Sequence, residues 1–318
     1  MNEASNKSPL GLAIVMPSQN DFQSASVLAN QLFDQFKDQN LDLRIFIIDD
    51  GSEFIGQSYF FESDKVSAIT KILYTDVKSG HQMAIINGLA WVSVNFPTHH
   101  VMVMDADGED RPEDAPKLLD KLLENPEYKV VLAERGKRNV NFAFLLGYKI
   151  FSNFFKMFVG KEFKTGNFMI IKNTWVQSAT ELPTASLHIS MAIQRYCPSS
   201  TRISINRGSR LIGKSRMNYT TLTMHAYGAL AVYADIFLSR ILIILFPLIL
   251  FFFSIPVILT ILRALNLVNF QKGWVSLIAT FSIGIGLILL AQVILSVLIM
   301  LRISSTNKRR ENALEIRN

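Results

Sequence analysis

With 318 residues, 49% of them hydrophobic, a mean hydropathy of +0.25 and a formal charge of +6, the chain is too apolar for a disordered protein. It is also unusually apolar for a soluble enzyme. A single cysteine, Cys197, excludes an internal disulfide and a cysteine-rich zinc site, and reads as a buried small hydrophobe in a reducing compartment.

The polar stretch Met1 to Pro9 is followed by an apolar run too short for a signal peptide, so Leu12 to Met16 is expected to be a buried first strand. Ser24 to Phe36 has helical spacing at Val27, Leu28, Leu32 and Phe36. Arg44 to Ile48 reads as a second strand and runs into Asp49-Asp50-Gly51-Ser52. A strand over Ile72 to Tyr74, a helix over Gly80 to Val94 and a strand over Val101 to Met104 follow, the last ending in Asp105-Ala106-Asp107. Glu113 to Leu123 is a further helix and Val130 to Ala133 a further strand. This alternation predicts an α/β domain of Rossmann-like βαβ units on a mostly parallel sheet. Its acidic clusters fall just past the carboxyl ends of strands, the edge at which open α/β sheets bind ligands.

Two carboxylates one residue apart, Asp105 and Asp107, repel each other at the mouth of a buried strand. A hard divalent cation, Mg²⁺ or Mn²⁺, relieves that repulsion and bridges to diphosphate oxygens. A solvated acidic turn is the plainer alternative for a lone Asp-x-Asp. The Asp49-Asp50 cluster offers acceptors for a nucleobase or ribose, and Met16 to Asp21 adds polar groups to the same rim; an ordinary Asp-Gly turn is the alternative there.

From Leu182 to Ala234 there is no acidic residue, yet Arg195, Arg202, Arg207, Arg210, Lys214 and Arg216 fall within it. Uncompensated positive charge implies an anionic partner. Beside a membrane a lipid phosphate is a simpler partner than nucleic acid, and generic attraction to headgroups accounts for part of the charge. Two uncharged runs follow, Ile241 to Leu262 and Trp274 to Leu301, each long enough to cross a bilayer. The basic tail (Arg302, Lys308, Arg309, Arg310, Arg317) outweighs the connecting loop, which places both chain ends in the cytoplasm. The expected layout is a domain over 1–219, a juxtamembrane amphipathic helix over 220–236, a transmembrane hairpin over 237–303 with spans near 241–262 and 275–301, and a tail over 304–318.

The order Pro17 to Asp21, Asp49 to Ser52, Gly80-His81-Gln82-Met83-Ala84 and Asp105 to Asp107 resembles family-2 glycosyltransferases of the GT-A fold. Within them it is most similar to the membrane-anchored polyprenyl-phosphate branch typified by dolichol-phosphate mannose synthases, and to a bacterial subgroup with Asp-Ala-Asp-Gly-Glu-Asp. The resemblance implies a nucleotide-diphosphate sugar donor, a polyprenyl-phosphate or other lipid acceptor, no nucleic-acid partner, and residence in a bacterial-type plasma membrane. It leaves a homo-oligomer open. It places Pro17, Gln19, Asp21, Asp49, Asp50, Gly80, His81 and Asp105 around the donor, with Asp105, Asp107 and Glu109 on the metal. Asp107 and Arg135 would act on the leaving diphosphate, and Arg207, Arg210, Lys214, Ser215 and Arg216 on the acceptor phosphate. Gln19-Asn20-Asp21 departs from the family's Tyr-Asn-Glu, and Glu109 from its Gln. Glu181 is the sole acid between Glu162 and Asp235, where related hydroxyl-transferring enzymes carry a Glu-Asp pair. A phosphate acceptor needs no base; a hydroxyl acceptor would turn to His188. A non-enzymatic nucleotide-binding module is the remaining alternative.

Overall fold

The computed structural model describes residues 8–53, 59–75, 78–135, 142–163, 166–206, 208–212 and 219–315. They form two compact units: one gathers the chain through Leu146 with Lys164–Val232, the other Gly147–Phe163 with Tyr233 onward.

The first unit is built on β1 (Leu10–Ser18), β2 (Leu41–Asp49), β3 (Thr70–Tyr74), β4 (His100–Val103), β5 (Val130–Arg135), β6 (Met169–Ile171) and β7 (Ser200–Ile205), in the sheet order β3-β2-β1-β4-β6-β5-β7. β6 runs antiparallel to both of its neighbours, and every other pairing is parallel. β1 is apolar on both faces because helices cover both. Leu12, Ile14 and Met16 pack with α1 (Phe22–Phe36) and α4 (Ala115–Glu124). Ala13 and Val15 pack with α3 (His81–Asn95), α6 (Val176–Thr180) and α7 (Ile189–Tyr196) on the other side. The period-2 alternation of side chains thus divides one strand between two cores. α3 lies so close to the sheet that a Cβ on Gly88 would stand 2.5 Å from Val15 Cγ1 and 2.9 Å from Ile48 Cγ1. A short α2 (Asp64–Ile69) precedes β3, and α8 (Tyr219–Val232) closes the unit.

Every strand and helix expected between Leu12 and Ala133 is present, with its ends within three residues of the expected ones. The expected helix over 220–236 is instead two: α8 stops at Val232, and α9 (Ala234–Ala264) starts after Tyr233. Of the basic residues in the acid-free stretch, Arg195 donates to the Val232 carbonyl and Arg202 to Gln194 Oε1, so both serve the domain itself.

The second unit holds the latter part of α5 (Phe142–Val159), α9 and α10 (Trp274–Glu315). Aromatic rings join α5 to the start of α9: Phe154 and Phe158 lie 5.8 and 5.4 Å from Phe237, and Phe155 lies 5.7 Å from Tyr233. Ala234–Ala264 and Trp274–Ile299 are long and apolar enough to cross a membrane. At 31 and 26 residues they measure about 46 and 39 Å, against about 30 Å of hydrocarbon. Their side chains are largely exposed apart from the seam between them, where Gly286 of α10 rests against the Phe253 ring of α9. A buried core helix would be covered instead.

Candidate active site

The six parallel strands end on one edge, and the turns that follow build the site. Ser18 and Asp49 are register partners at the ends of β1 and β2, which brings their turns together. The Asn20 amide donates to Ser52 Oγ at 2.7 Å, and the Glu53 amide donates to Asn20 Oδ1 at 2.8 Å.

Asp49 and Asp50, expected at the nucleoside, are turned inward and hold the rim together. Asp49 is 1% exposed; its Oδ2 accepts the Tyr59 hydroxyl at 2.6 Å and its Oδ1 the Ser52 amide at 2.8 Å. Burial, reinforced by the Asp49 carboxylate, pushes the Tyr59 hydroxyl far above the usual phenol range. Asp50 accepts the Ser79 amide and hydroxyl at 2.7 and 2.8 Å and the Gly80 amide at 2.7 Å. Burial alone would raise its carboxyl. The hydrogen bonds from Ser79, Gly80 and Thr75 outweigh burial and hold it below the ordinary aspartate value. Neither Tyr59, which follows Asp49 by ten residues, nor Ser79 has a sequence signal that marks it as a partner. Pro17 is buried within β1, and Gln19 is half-buried just beyond its end.

Asp50 thereby fixes Gly80, and with it the start of α3. There His81 Nε2 lies 2.8 Å from Asn167 Nδ2 and 3.3 Å from Asp105 Oδ1. The next side chain, Gln82, accepts the Ile189 amide at 2.8 Å and so caps the start of α7. The Gly-His-Gln motif is thus a three-way junction between the acidic loop, the turn before β6 and α7.

The acidic loop closes on itself: the Asp105 amide donates to Asp110 Oδ2 at 3.0 Å, and Asp110 is fully buried. The Glu109 amide donates to Asp107 Oδ1 at 2.9 Å. Burial first, then the negative charges of Asp105 and Glu109, push the Asp107 carboxyl above its ordinary value. Among the described residues no three His, Cys, Asp or Glu side chains converge as a metal cluster. Asp105 faces His81. A nucleotide-bound Mg²⁺ or Mn²⁺ takes only one or two carboxylates with the diphosphate oxygens, and Asp107, destabilised by its neighbours' charge, fits that role.

A strap over 208–212 crosses this loop. The Gly208 amide donates to the Glu109 carbonyl at 2.9 Å, and the Leu211 amide to the Asp107 carbonyl at 3.0 Å. Gly108, at φ +87°, leaves room for Leu211; a Cβ there would meet Leu211 Cγ at 2.5 Å. Arg210, expected at the acceptor phosphate, lies among the acids: Nη2 is 2.7 Å from Asp21 Oδ1 and Nη1 is 3.4 Å from Asp107 Oδ2. Arg207, Lys214, Ser215 and Arg216 lie outside the described residues, as does the Arg135 side chain, whose backbone ends β5 opposite Ile205. His188 is 4% exposed with Ser190 Oγ 3.3 Å from its Nδ1, a buried position ill suited to a base that must meet substrate. Burial raises the Cys197 thiol, as expected of an inert residue.

Six parallel strands with one antiparallel insertion and an acidic loop at the carboxyl edge define a GT-A-type donor-binding domain. The sequence profile of Glycosyl transferase family 2 matches residues 13–182, more than half of the chain. The chain belongs to glycosyl transferase family 2 and is a nucleotide-sugar glycosyltransferase. Among solved structures it is similar to mannosyl-3-phosphoglycerate synthase from Rubrobacter xylanophilus, with 15% identity, a TM-score of 0.50, and coverage of 71% of this chain and 73% of that one. It is also similar to glucosyl-3-phosphoglycerate synthase from Mycobacterium tuberculosis in complex with phosphoglyceric acid, with 14% identity, a TM-score of 0.50, and coverage of 71% and 79%. At these identities the likeness is one of fold.

Proposed function

We propose that this enzyme transfers a sugar, with inversion, from a nucleotide-diphosphate donor to a lipid phosphate of the polyprenyl-phosphate type, at the cytoplasmic face of a bacterial-type plasma membrane. The observation that carries the reading is the location of the basic strap. Arg210 lies against the donor-side acids Asp21 and Asp107, in a chain whose remaining length is two helices able to cross a bilayer.

In this reading an oxygen of the acceptor phosphate attacks the anomeric carbon. The bond from that carbon to the diphosphate breaks, and the nucleoside diphosphate leaves with the electron pair. The attacking oxygen is already ionised, so no proton is removed, consistent with the burial of His188. A bound Mg²⁺ or Mn²⁺, held by Asp107 with the donor's diphosphate, would neutralise charge on the leaving group. His81 and Asp110 fix the Asp105 end of the loop. The two solved relatives are named for a soluble phosphorylated acceptor, 3-phosphoglycerate. The hairpin is what turns the reading here toward a lipid.

Incubating membranes that contain the enzyme with radiolabelled nucleotide-sugars, then extracting with organic solvent, tests it. Label should appear in an acid-labile lipid. Label confined to water-soluble product would overturn the lipid acceptor while leaving the transferase intact.

A further inference from the structure

We propose that Arg210 is a resident counter-ion of the acidic loop, which a divalent cation must displace from Asp107, so that metal loading and release of the 208–212 strap are one coupled event. This rests on the metal-and-diphosphate reading above and adds to it a competition within the chain.

The geometry sets up that competition. Asp107 has two carboxylate oxygens. Oδ1 is held by the Glu109 amide at 2.9 Å, and Oδ2 faces Arg210 Nη1 at 3.4 Å. The second arm of the guanidinium is tied to Asp21 Oδ1 at 2.7 Å, and its Nε donates to the Ile212 carbonyl at 3.1 Å. A cation approaching Asp107 therefore meets positive charge already in place. The side chains of Arg210, Asp21 and Asp107 are only 15%, 20% and 20% exposed, so water screens this contact weakly. The strap's backbone is fastened to the same loop through Gly208 and Leu211, which means that moving the guanidinium strains a docked segment and not merely one free side chain. A nucleotide diphosphate supplies negative oxygens that both the cation and the displaced guanidinium can face. Metal and nucleotide should then bind with positive coupling beyond that of their direct contact, and Arg210 is the source of that added part.

The test is calorimetric titration of the full-length protein in detergent, without turnover, using Mn²⁺ alone, a nucleoside diphosphate alone, and Mn²⁺ with the diphosphate saturating. In wild type, Mn²⁺ alone should bind weakly and the diphosphate should tighten it. In Arg210→Gln, Mn²⁺ alone should bind roughly tenfold or more tightly, the scale of one lost charge-assisted contact, and the tightening by diphosphate should shrink. Arg210→Lys, which keeps the charge but gives up the two-armed contact with Asp21 and Asp107, should shift Mn²⁺ affinity in the same direction by less, and it stands in if Arg210→Gln does not fold. Unchanged or weakened affinity for Mn²⁺ alone in the folded variants would overturn the counter-ion. Failure of the underlying reading looks different: Mn²⁺ binding would be indifferent to Asp107→Asn, or absent from wild type even with the diphosphate.

Discussion

Replacing Asp50 with asparagine isolates the device that positions α3. In the native rim the carboxylate accepts the Ser79 and Gly80 amides at 2.7 Å each, one on each oxygen, and the Ser79 hydroxyl at 2.8 Å. Asparagine keeps the shape but presents an NH₂ where one oxygen was, so one backbone N–H faces another donor. A hydrogen bond to a charged group contributes about 1.5–3 kcal/mol, and an unmade buried one costs about 1–3 kcal/mol. The site is 4% exposed, so solvent does little to rescue it. A local loss of about 2–3 kcal/mol follows, roughly 30- to 150-fold at about 1.4 kcal/mol per decade. Hydrogen–deuterium exchange of a peptide spanning Lys78 to Ala84 should accelerate by that factor, while peptides from the β1 core stay protected. Donor affinity should fall as well, because His81 moves with the loop away from Asp105. An exchange rate within threefold of wild type would show that Asp50 does not anchor this turn.

Three further outcomes follow from the same geometry. Gly88→Ala should cost about 1–3 kcal/mol by driving a methyl into Val15 and Ile48, and Val15→Ala in the same chain should recover part of that loss in a denaturant titration. His100 is neutral in the fold: burial, then the charges of Lys172 and His99, lower its value, and its Nδ1 accepts the Asn173 amide. A depressed folded value means that its stabilisation is complete above the unfolded value of about 6.5 and is lost as pH falls through the folded one. The melting temperature should therefore drop between pH 7.5 and 5.0 by more in wild type than in His100→Gln. Chelation should abolish sugar transfer and Mn²⁺ or Mg²⁺ restore it, whereas Asp107→Asn should stay inactive, by about 10²-fold or more, at any metal concentration.

The sheet could be read from the sequence as far as β5 because each strand there holds a short apolar run, even where β2 carries Asp42 and Arg44 and β3 carries Lys71. Beyond it the signal fades: β6 is three residues long, and β7 has only Ile205 fully buried at the sheet edge. The acidic loop was visible because its residues are neighbours in the chain. What was hidden is long-range. Arg210 reaches Asp107 across 103 positions and Asp21 across 189, and no local pattern records such a contact. The Asp49-Asp50 pair is legible in part. Its placement at a strand end was correct, but whether a carboxylate looks out at a ligand or in at a tyrosine is decided by Tyr59 and Ser79, which carry no motif.

The reversed strand β6 acts as a ruler. Because it enters the sheet at the edge where β4 and β5 leave it, the turn at Asn167 and Phe168 is interposed between the acidic loop and Arg135. Strands stand about 4.8 Å apart, so the ends of β4 and β5 are held close to 10 Å from each other. A seventh parallel strand would have filled that interval with its own outgoing turn. An incoming strand instead presents its leading turn there, where Asn167 Nδ2 lies 2.8 Å from His81 Nε2.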